Sequence, residues 1–291
     1  MKLATYNIHY AVGRDGRADI TRIAEAVSGA DVIALQEVER NYGPGETPDQ
    51  PAALEALLPD YYWVYAPAFD VDASEAVADG RVLNRRRQHG VMLLSKTPIL
   101  SCRPLPLPKR VFADRFNMRM SAIEGVIDGP LGPLRIYVVH LGYLDGGERQ
   151  LQIEHLLAMV RAAPDEGGAW TGRGVFSDRD WSAGTPEPPM PENAVLLGDF
   201  NMPPDAPEYA LVTTPENGGA GPAFVDAWPA AGNGEAPGFT FIYPPEQPEM
   251  RSQRIDYCFL SPALADKVRA CRVDQEAEGS DHQPVWTELA A

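Results

Sequence analysis

The stretch Asp31-Val32-Ile33-Ala34-Leu35-Gln36-Glu37 sets the fold class. Its apolar run is short and unbroken, the pattern of a strand buried on both faces, and it stops at a polar pair. Val91-Met92-Leu93-Leu94 repeats the pattern, and Ala194 to Leu197 does so again. Around these lie further strand-like segments: Lys2 to Ile8, Met120 to Asp128, Leu134 to Val139, Phe239 to Tyr243, Ile255 to Leu260 and Val285 to Leu289. Gly129-Pro130-Leu131-Gly132-Pro133 joins two of them as a hairpin. Helical spacing occurs at Ile20, Ile23, Ala24 and Val27, with Gly29 as the stop, and again at Ile153, Leu156, Leu157 and Val160. Strands outnumber helices and several adjoin by hairpins. The expectation is a mixed sheet, or two packed sheets, with helices outside.

A chain of 291 residues can bury about three quarters of its unfolded surface and needs no disulfides. Its 25 Lys and Arg face 41 Asp and Glu, a formal net charge of -16. That balance argues against nonspecific nucleic-acid binding and against adhesion to anionic membranes. Cys102, Cys258 and Cys271 lie far apart, with neither a disulfide framework nor metal-ligand spacing. No apolar run approaches the roughly 20 residues that span a bilayer. The first residues enter strand-like sequence without a leader, so a cytoplasmic protein is expected. No repeat and no second domain is visible, and residues 1–291 read as one domain.

Two stretches are irregular. Ala162 to Asn193 is rich in Pro, Gly and Asp yet holds Trp170, Phe176 and Trp181. It reads either as a surface insertion tacked down by its aromatics or as a lid touching substrate. Asp70 to Gln88 ends in Arg81, Arg85, Arg86 and Arg87, either a phosphate-neutralising cluster or a solvated loop.

The informative polar residues stand at strand ends: Asn7, Glu37, His140, Asp199 with Asn201, Asp256 and Asp281-His282. Singly each is weak, since an Asp after a strand is often a cap and a lone His is often structural. In order, Thr5-Tyr6-Asn7-Ile8, Leu35-Gln36-Glu37-Val38, Gly90 to Ser95, Val139-His140-Leu141, Gly198-Asp199-Phe200-Asn201, Arg254-Ile255-Asp256-Tyr257 and Ser280-Asp281-His282 make a pattern. It resembles the endonuclease/exonuclease/phosphatase superfamily of deoxyribonuclease-like, metal-dependent phosphohydrolases, over essentially the whole chain. The resemblance implies an α/β four-layer sandwich, two mixed β-sheets packed face to face with helices on the outer faces. The active site would lie where strand ends from both sheets converge.

Glu37, Asp281 and Asn7 offer hard oxygen ligands suited to Mg²⁺, with Mn²⁺ as a substitute, whereas zinc would want Cys or close His pairs. Phosphoryl transfer needs positioning and charge neutralisation, which a cation and the imidazoles of His140 and His282 would supply. The resemblance implies Asp199 as the base for water, Asn201 as an orienting group, and Asp256 as the carboxylate that holds His282 protonated. Arg119 and Arg254 are candidates for phosphate contact, although Arg254 reads equally as the partner of an acidic neighbour. His9 falls near the metal site, while His89 and His155 read as structural or exposed.

These residues point to a divalent-metal-dependent hydrolase of phosphoesters using in-line attack by an activated water. The acidity favours a small-molecule or head-group phosphodiester or monoester, and so does the run His140-Leu141-Gly142-Tyr143 followed by Glu148-Arg149-Gln150, which resembles bacterial hydrolases of the sphingomyelinase-like or small-phosphoester branches. The alternatives are a nuclease acting on DNA or RNA, which the charge disfavours, and a non-catalytic binding protein on the same fold.

Overall fold

The computed structural model describes residues 1–42, 47–172, 174, 179, 182–215, 224–234, 236–243 and 251–290. In chain order the first half contains β1 (Lys2–Asn7), α1 (Ile20–Val27), β2 (Val32–Arg40), α2 (Gln50–Leu57), β3 (Tyr62–Asp72), β4 (Glu75–Ala76), β5 (Val82–Leu83) and β6 (Arg86–Ser95). The second half contains β7 (Ile99–Pro106), β8 (Ser121–Gly129), β9 (Gly132–His140), α3 (Gly146–Glu166), β10 (Ala194–Asp199), α4 (Pro207–Thr213), β11 (Val225–Asp226), α5 (Ala227–Ala230), β12 (Asp256–Leu260), β13 (Val268–Val273) and β14 (Val285–Leu289).

The strands form two six-stranded sheets, in the orders β13-β14-β1-β2-β6-β3 and β11-β12-β10-β9-β8-β7. Both are mixed: β1 and β2 run parallel, as do β9 and β10, among antiparallel neighbours. Side-chain alternation divides the apolar residues among three cores. Leu3, Val32, Ala34 and Leu93 from one sheet meet Ile123, Ile136, Val138 and Leu197 from the other. Their neighbours Ala4, Ile33, Leu35 and Met92 face outward against Ile23, Val27 and Leu54 of the helices. Tyr137, Val139, Leu196 and Phe259 face Ile153, Leu156 and Val160 of α3. The central strands are therefore apolar on both faces, and the result is the expected sandwich of two sheets between helices. Asp19 and Asp145 start α1 and α3 by accepting from the backbone N–H of Thr21 and Glu148.

Several elements differ from the sequence reading. β2 does not end at Gln36-Glu37 but continues to Arg40, with Glu37 as an extra residue between the pairs Gln36–Val91 and Val38–Gly90. Asp70 to Gln88 is no irregular loop: β3 and β6 pair as far as Asp72 and Arg86, and β4 and β5 cap them as a hairpin. Its length of alternating charge hid the pairing, because both faces there meet water. Phe239 to Tyr243 forms no strand; only Phe241 makes bridges, to Gln253 and His282. The stretch from Ala162 begins as the last turn of α3, which runs to Glu166. Phe176 and Trp181 lie outside the described residues. Among the described residues no helix is long and apolar enough to cross a membrane.

Candidate active site

The pairing register builds the site. Asp199, last in β10, lies opposite His140, last in β9, and opposite Asp256, first in β12. Three chemistry-bearing residues thus stand side by side at one sheet end. Asn7 ends β1 in the facing sheet and pairs with Gln36, one residue before Glu37. Glu37 has φ +61°, an uncommon backbone for a non-glycine residue, and this bulge aims its carboxylate out of the regular ladder. Asn201 is also left-handed (φ +49°), which Asn tolerates better than most residues.

Asn7 joins the sheets: its Nδ2 donates to Glu37 Oε1 at 3.2 Å and to Asp199 Oδ2 at 2.9 Å. Asp199 Oδ1 accepts from the Asn201 backbone N–H at 2.8 Å, and Asn201 Nδ2 donates to Leu141 O at 2.9 Å. His140 Nε2 stands 3.6 Å from Asp199 Oδ2 and 3.8 Å from Glu37 Oε1. His282 Nε2 approaches the same Asp199 oxygen at 3.8 Å, while its Nδ1 lies 2.8 Å from Asp256 Oδ2. Ser280 fixes the segment before β14: its hydroxyl donates to Asn7 O at 2.7 Å and accepts from the His282 N–H at 3.1 Å. Asp281 is tied to the same corner, with Oδ1 3.7 Å from His9 Nδ1.

A carboxylate behind one ring separates the two imidazoles. Burial is the largest influence on His282 and disfavours its charge, but the Asp256 carboxylate, its hydrogen bond, and then Asp199 and Asp281 push the ring up to about 10. His140 goes the other way: burial first, then His89 and His282, hold it well below the usual imidazole range. The charged form is thus favoured in His282 and disfavoured in His140. Asp199 is raised to about 7, by burial and then by Asp256, against the favourable pull of His282 and the hydrogen bonds from Asn7 and Asn201.

Glu37, Asp199, Asp256 and Asp281 converge here, and the ion pairs these carboxylates make among the described residues are all with histidine rings. So dense a set of hard oxygens, without Lys or Arg beside it, fits a divalent cation. Two subsets qualify. Asp199, Asp256 and His282 bring ligand atoms within 4.8 Å of one another, but all three are buried and His282 Nδ1 is already engaged by Asp256. The side chains of Glu37 and Asp281 remain 16% and 34% exposed, which leaves room for the waters Mg²⁺ retains.

The remaining sequence candidates fall elsewhere. Arg254 is buried and committed to Asp226 (2.7 Å), with its guanidinium over the Tyr257 ring, so the ion-pair reading describes its place. Arg119 is exposed, two residues before Ser121, which lies opposite His140. In the basic cluster Arg81, Arg85 and Arg86 pair with Asp79, Glu75 and Asp70, and Arg87 donates to Asn41 O, so the hairpin neutralises itself. His155 is exposed on α3. His89 is buried, stacked on Phe69 and within hydrogen-bond distance of Glu39, and its ring lies 6.3 Å from that of His140. That proximity depends on the β2–β6 register and has no counterpart in residue spacing.

The sequence model of the Endonuclease/Exonuclease/phosphatase family matches residues 4–282, and the chain belongs to that family. Its members are phosphoester hydrolases, and this chain is an enzyme of that class. Solved structures share the fold. An endonuclease/exonuclease/phosphatase from Beutenbergia cavernae is 24% identical with a TM-score of 0.63, covering 100% of this chain and 72% of that one. A mannosyl-6-phosphatase from Bacteroides thetaiotaomicron is 16% identical over 100% of both chains, with a TM-score of 0.61. The 3′ phosphatase NExo from Neisseria, bound to a product DNA hairpin, is 19% identical over 100% of both, with a TM-score of 0.57. Comparison with curated protein sequences finds no significant match.

Proposed function

We propose that the protein is a Mg²⁺-dependent hydrolase of small-molecule or head-group phosphoesters, diesters first, acting by in-line attack of water. The observation that carries this reading is the convergence of four carboxylates whose ion pairs among the described residues are all with histidine rings. Asn7, Glu37 and Asp281 would hold the cation, which when bound supplies positive charge to the phosphate oxygens. Asp199 accepts the proton of the attacking water; a value near 7 suits a base working at neutral pH. Asn7 and Asn201 fix that carboxylate through Oδ2 and Oδ1, so its orientation is set before substrate arrives. His282, charged and held by Asp256, faces the charge that develops on the phosphoryl oxygens. Neutral His140 donates a hydrogen bond there from Nε2–H.

The assay is hydrolysis of chromogenic phosphodiesters and monoesters with Mg²⁺, Mn²⁺ or EDTA. Turnover is expected with either metal, none with EDTA, and a loss of roughly a hundredfold or more in Asp199→Ala. Metal-independent turnover, or full activity in that variant, would falsify the mechanism. Calorimetric Mg²⁺ binding should disappear in Glu37→Ala.

A nuclease reading draws on the DNA-bound Neisseria 3′ phosphatase and on D. rerio TDP2 complexed with single-stranded DNA product. Charge opposes it here. A grip on six or more phosphates needs a basic face, and the Arg81 to Arg87 cluster is internally paired. Nuclease activity would appear as polynucleotide cleavage that weakens steeply with salt.

A further inference from the structure

Between β7 and β8 the chain reads Pro108-Lys109-Arg110-Val111-Phe112-Ala113-Asp114-Arg115-Phe116-Asn117-Met118-Arg119, four cations to one acid in a strongly acidic protein. Two of its apolar residues face water, Val111 at 89% exposed and Phe116 at 66%, while Met118 packs against the α3-side core. The segment is nevertheless anchored. The buried Glu148 carboxylate accepts from Arg110 N at 2.6 Å and from Asn117 Nδ2 at 2.9 Å, and Arg110 pairs with Asp145 at 2.9 Å. A buried acid is thus committed to holding the loop in a conformation that displays its apolar side chains. Exposed apolar residues on a fixed scaffold mark a contact surface more often than chance does.

The position of the loop names the contact. Tyr143, 46% exposed, reaches it through its hydroxyl, 3.4 Å from Phe116 O, and Tyr143 follows His140 by three residues. Three residues span at most about 11 Å, so the Tyr143 backbone lies within about 11 Å of that of His140. Arg119 stands at the foot of the loop, two residues before the strand partner of His140, and forms no ion pair with any described residue. Arg110 and Arg115 are neutralised by Asp145 and Asp114. The surface therefore offers apolar side chains outward and, in Lys109 and Arg119, two cations without an ion pair among the described residues, short of what a polynucleotide backbone needs.

We infer that Val111, Phe116 and Tyr143 form a shelf for the alcohol portion of the substrate, and that this portion is an apolar alkyl or aryl group on a single dissolved phosphoester. The inference rests on the phosphoester reading and narrows it. Charge complementarity favours this occupant: the anionic end of such a molecule points to the cation-binding corner and Arg119, its apolar end to the shelf.

The test uses the full chain with Mg²⁺ and two substrate series, alkyl phosphates and alkyl 4-nitrophenyl phosphates, with alkyl running from methyl to hexyl below the critical micelle concentration. For the wild type, kcat/KM should rise roughly twofold to fourfold per methylene. In Phe116→Ser the hexyl-to-methyl ratio should fall by roughly tenfold, and in Val111→Ser by less. Val82→Ser, an exposed apolar residue on the β4–β5 hairpin, should keep the wild-type ratio. Because Phe116 and Val111 are exposed, their replacement spares the core. A ratio unchanged in both shelf variants overturns the shelf while leaving phosphoester hydrolysis intact. Hydrolysis of neither series by the wild type overturns the phosphoester reading itself. A rate that jumps only above the critical micelle concentration overturns the dissolved substrate in favour of a lipid surface.

Discussion

Replacing Asp256 by Asn removes a charge from behind His282 and keeps a similar shape. In the wild type Asp256 Oδ2 lies 2.8 Å from His282 Nδ1, and Oδ1 is buried without a hydrogen-bond partner. The variant's amide oxygen can accept the Nδ1–H while its NH₂ takes the site of the unpartnered oxygen. The gap between about 10 and the ordinary 6.5 for His282 corresponds to about 5 kcal/mol at 1.36 kcal/mol per decade. Without that carboxylate, burial against the remaining pull of Asp199 and Asp281 returns the ring to about its ordinary value. At pH 8 the cationic fraction would then be about 3%, against nearly all in the wild type; at pH 6 it would still be about three quarters. The expected defect in kcat/KM is therefore roughly thirtyfold at pH 8 and under twofold at pH 6, measured with saturating Mg²⁺ on one chromogenic substrate. NMR of the ring in chelator-treated protein gives the same titration without turnover. The sign for stability agrees: with the folded value raised, the pair's contribution is full below pH 6.5 and is lost as pH rises through about 10. A defect of equal size at pH 6 and pH 8 would refute the argument that Asp256 acts by keeping His282 charged.

Arg254→Met leaves Asp226 buried with only Tyr209 Oη (2.9 Å) and its cap to Trp228 N, and should cost about 3–5 kcal/mol by calorimetry. If KM for phosphoesters rises while the melting temperature holds, Arg254 contacts phosphate after all. Gly198→Ala sets a Cβ 1.9 Å from Val139 O, in the ladder that aligns Asp199 with His140. Denaturant titration should show a loss of about 3 kcal/mol or more, with activity falling alongside; a wild-type midpoint would contradict the close approach. Asp199, raised to about 7 in the folded chain, stabilises fully below its ordinary 3.8 and loses that contribution as pH rises through about 7. In chelator the melting temperature of wild type relative to Asp199→Ala should therefore decline from pH 5 to pH 8, by an amount equivalent to at most about 3 kcal/mol. A constant difference across that window would show that Asp199 is ionised throughout.

Much of this site was legible because its residues sit at the ends of apolar runs, where a strand leaves the core and the next polar residue must meet water or a ligand. Val195-Leu196-Leu197 announces β10, and Asp199 and Asn201 follow from it. The same logic failed at Glu37, where a polar pair looked like the end of β2 but is a bulge within it. It failed again along Asp70 to Gln88, where a two-stranded ribbon exposed on both faces needs no apolar alternation, so its hydrogen-bonded ladder leaves little trace in the sequence. Arg254 shows a different limit. Sequence offers a cation two residues before a site carboxylate, while the choice between substrate and Asp226 depends on a fold that brings residue 226 alongside β12. Likewise, the unlike states of His140 and His282 depend on which ring has a carboxylate behind it.

In β2 the residues Val32 to Gln36 and Val38 to Arg40 each have a partner in β6, and Glu37 has none. Deleting Glu37 would leave every one of those pairs as it is. The residue proposed to reach the cation is thus the one that the β2–β6 ladder leaves unpaired. A chain lacking Glu37 alone should keep the pairing on both sides of it while losing that carboxylate, so strand length at this point separates what the sheet requires from what the proposed site requires.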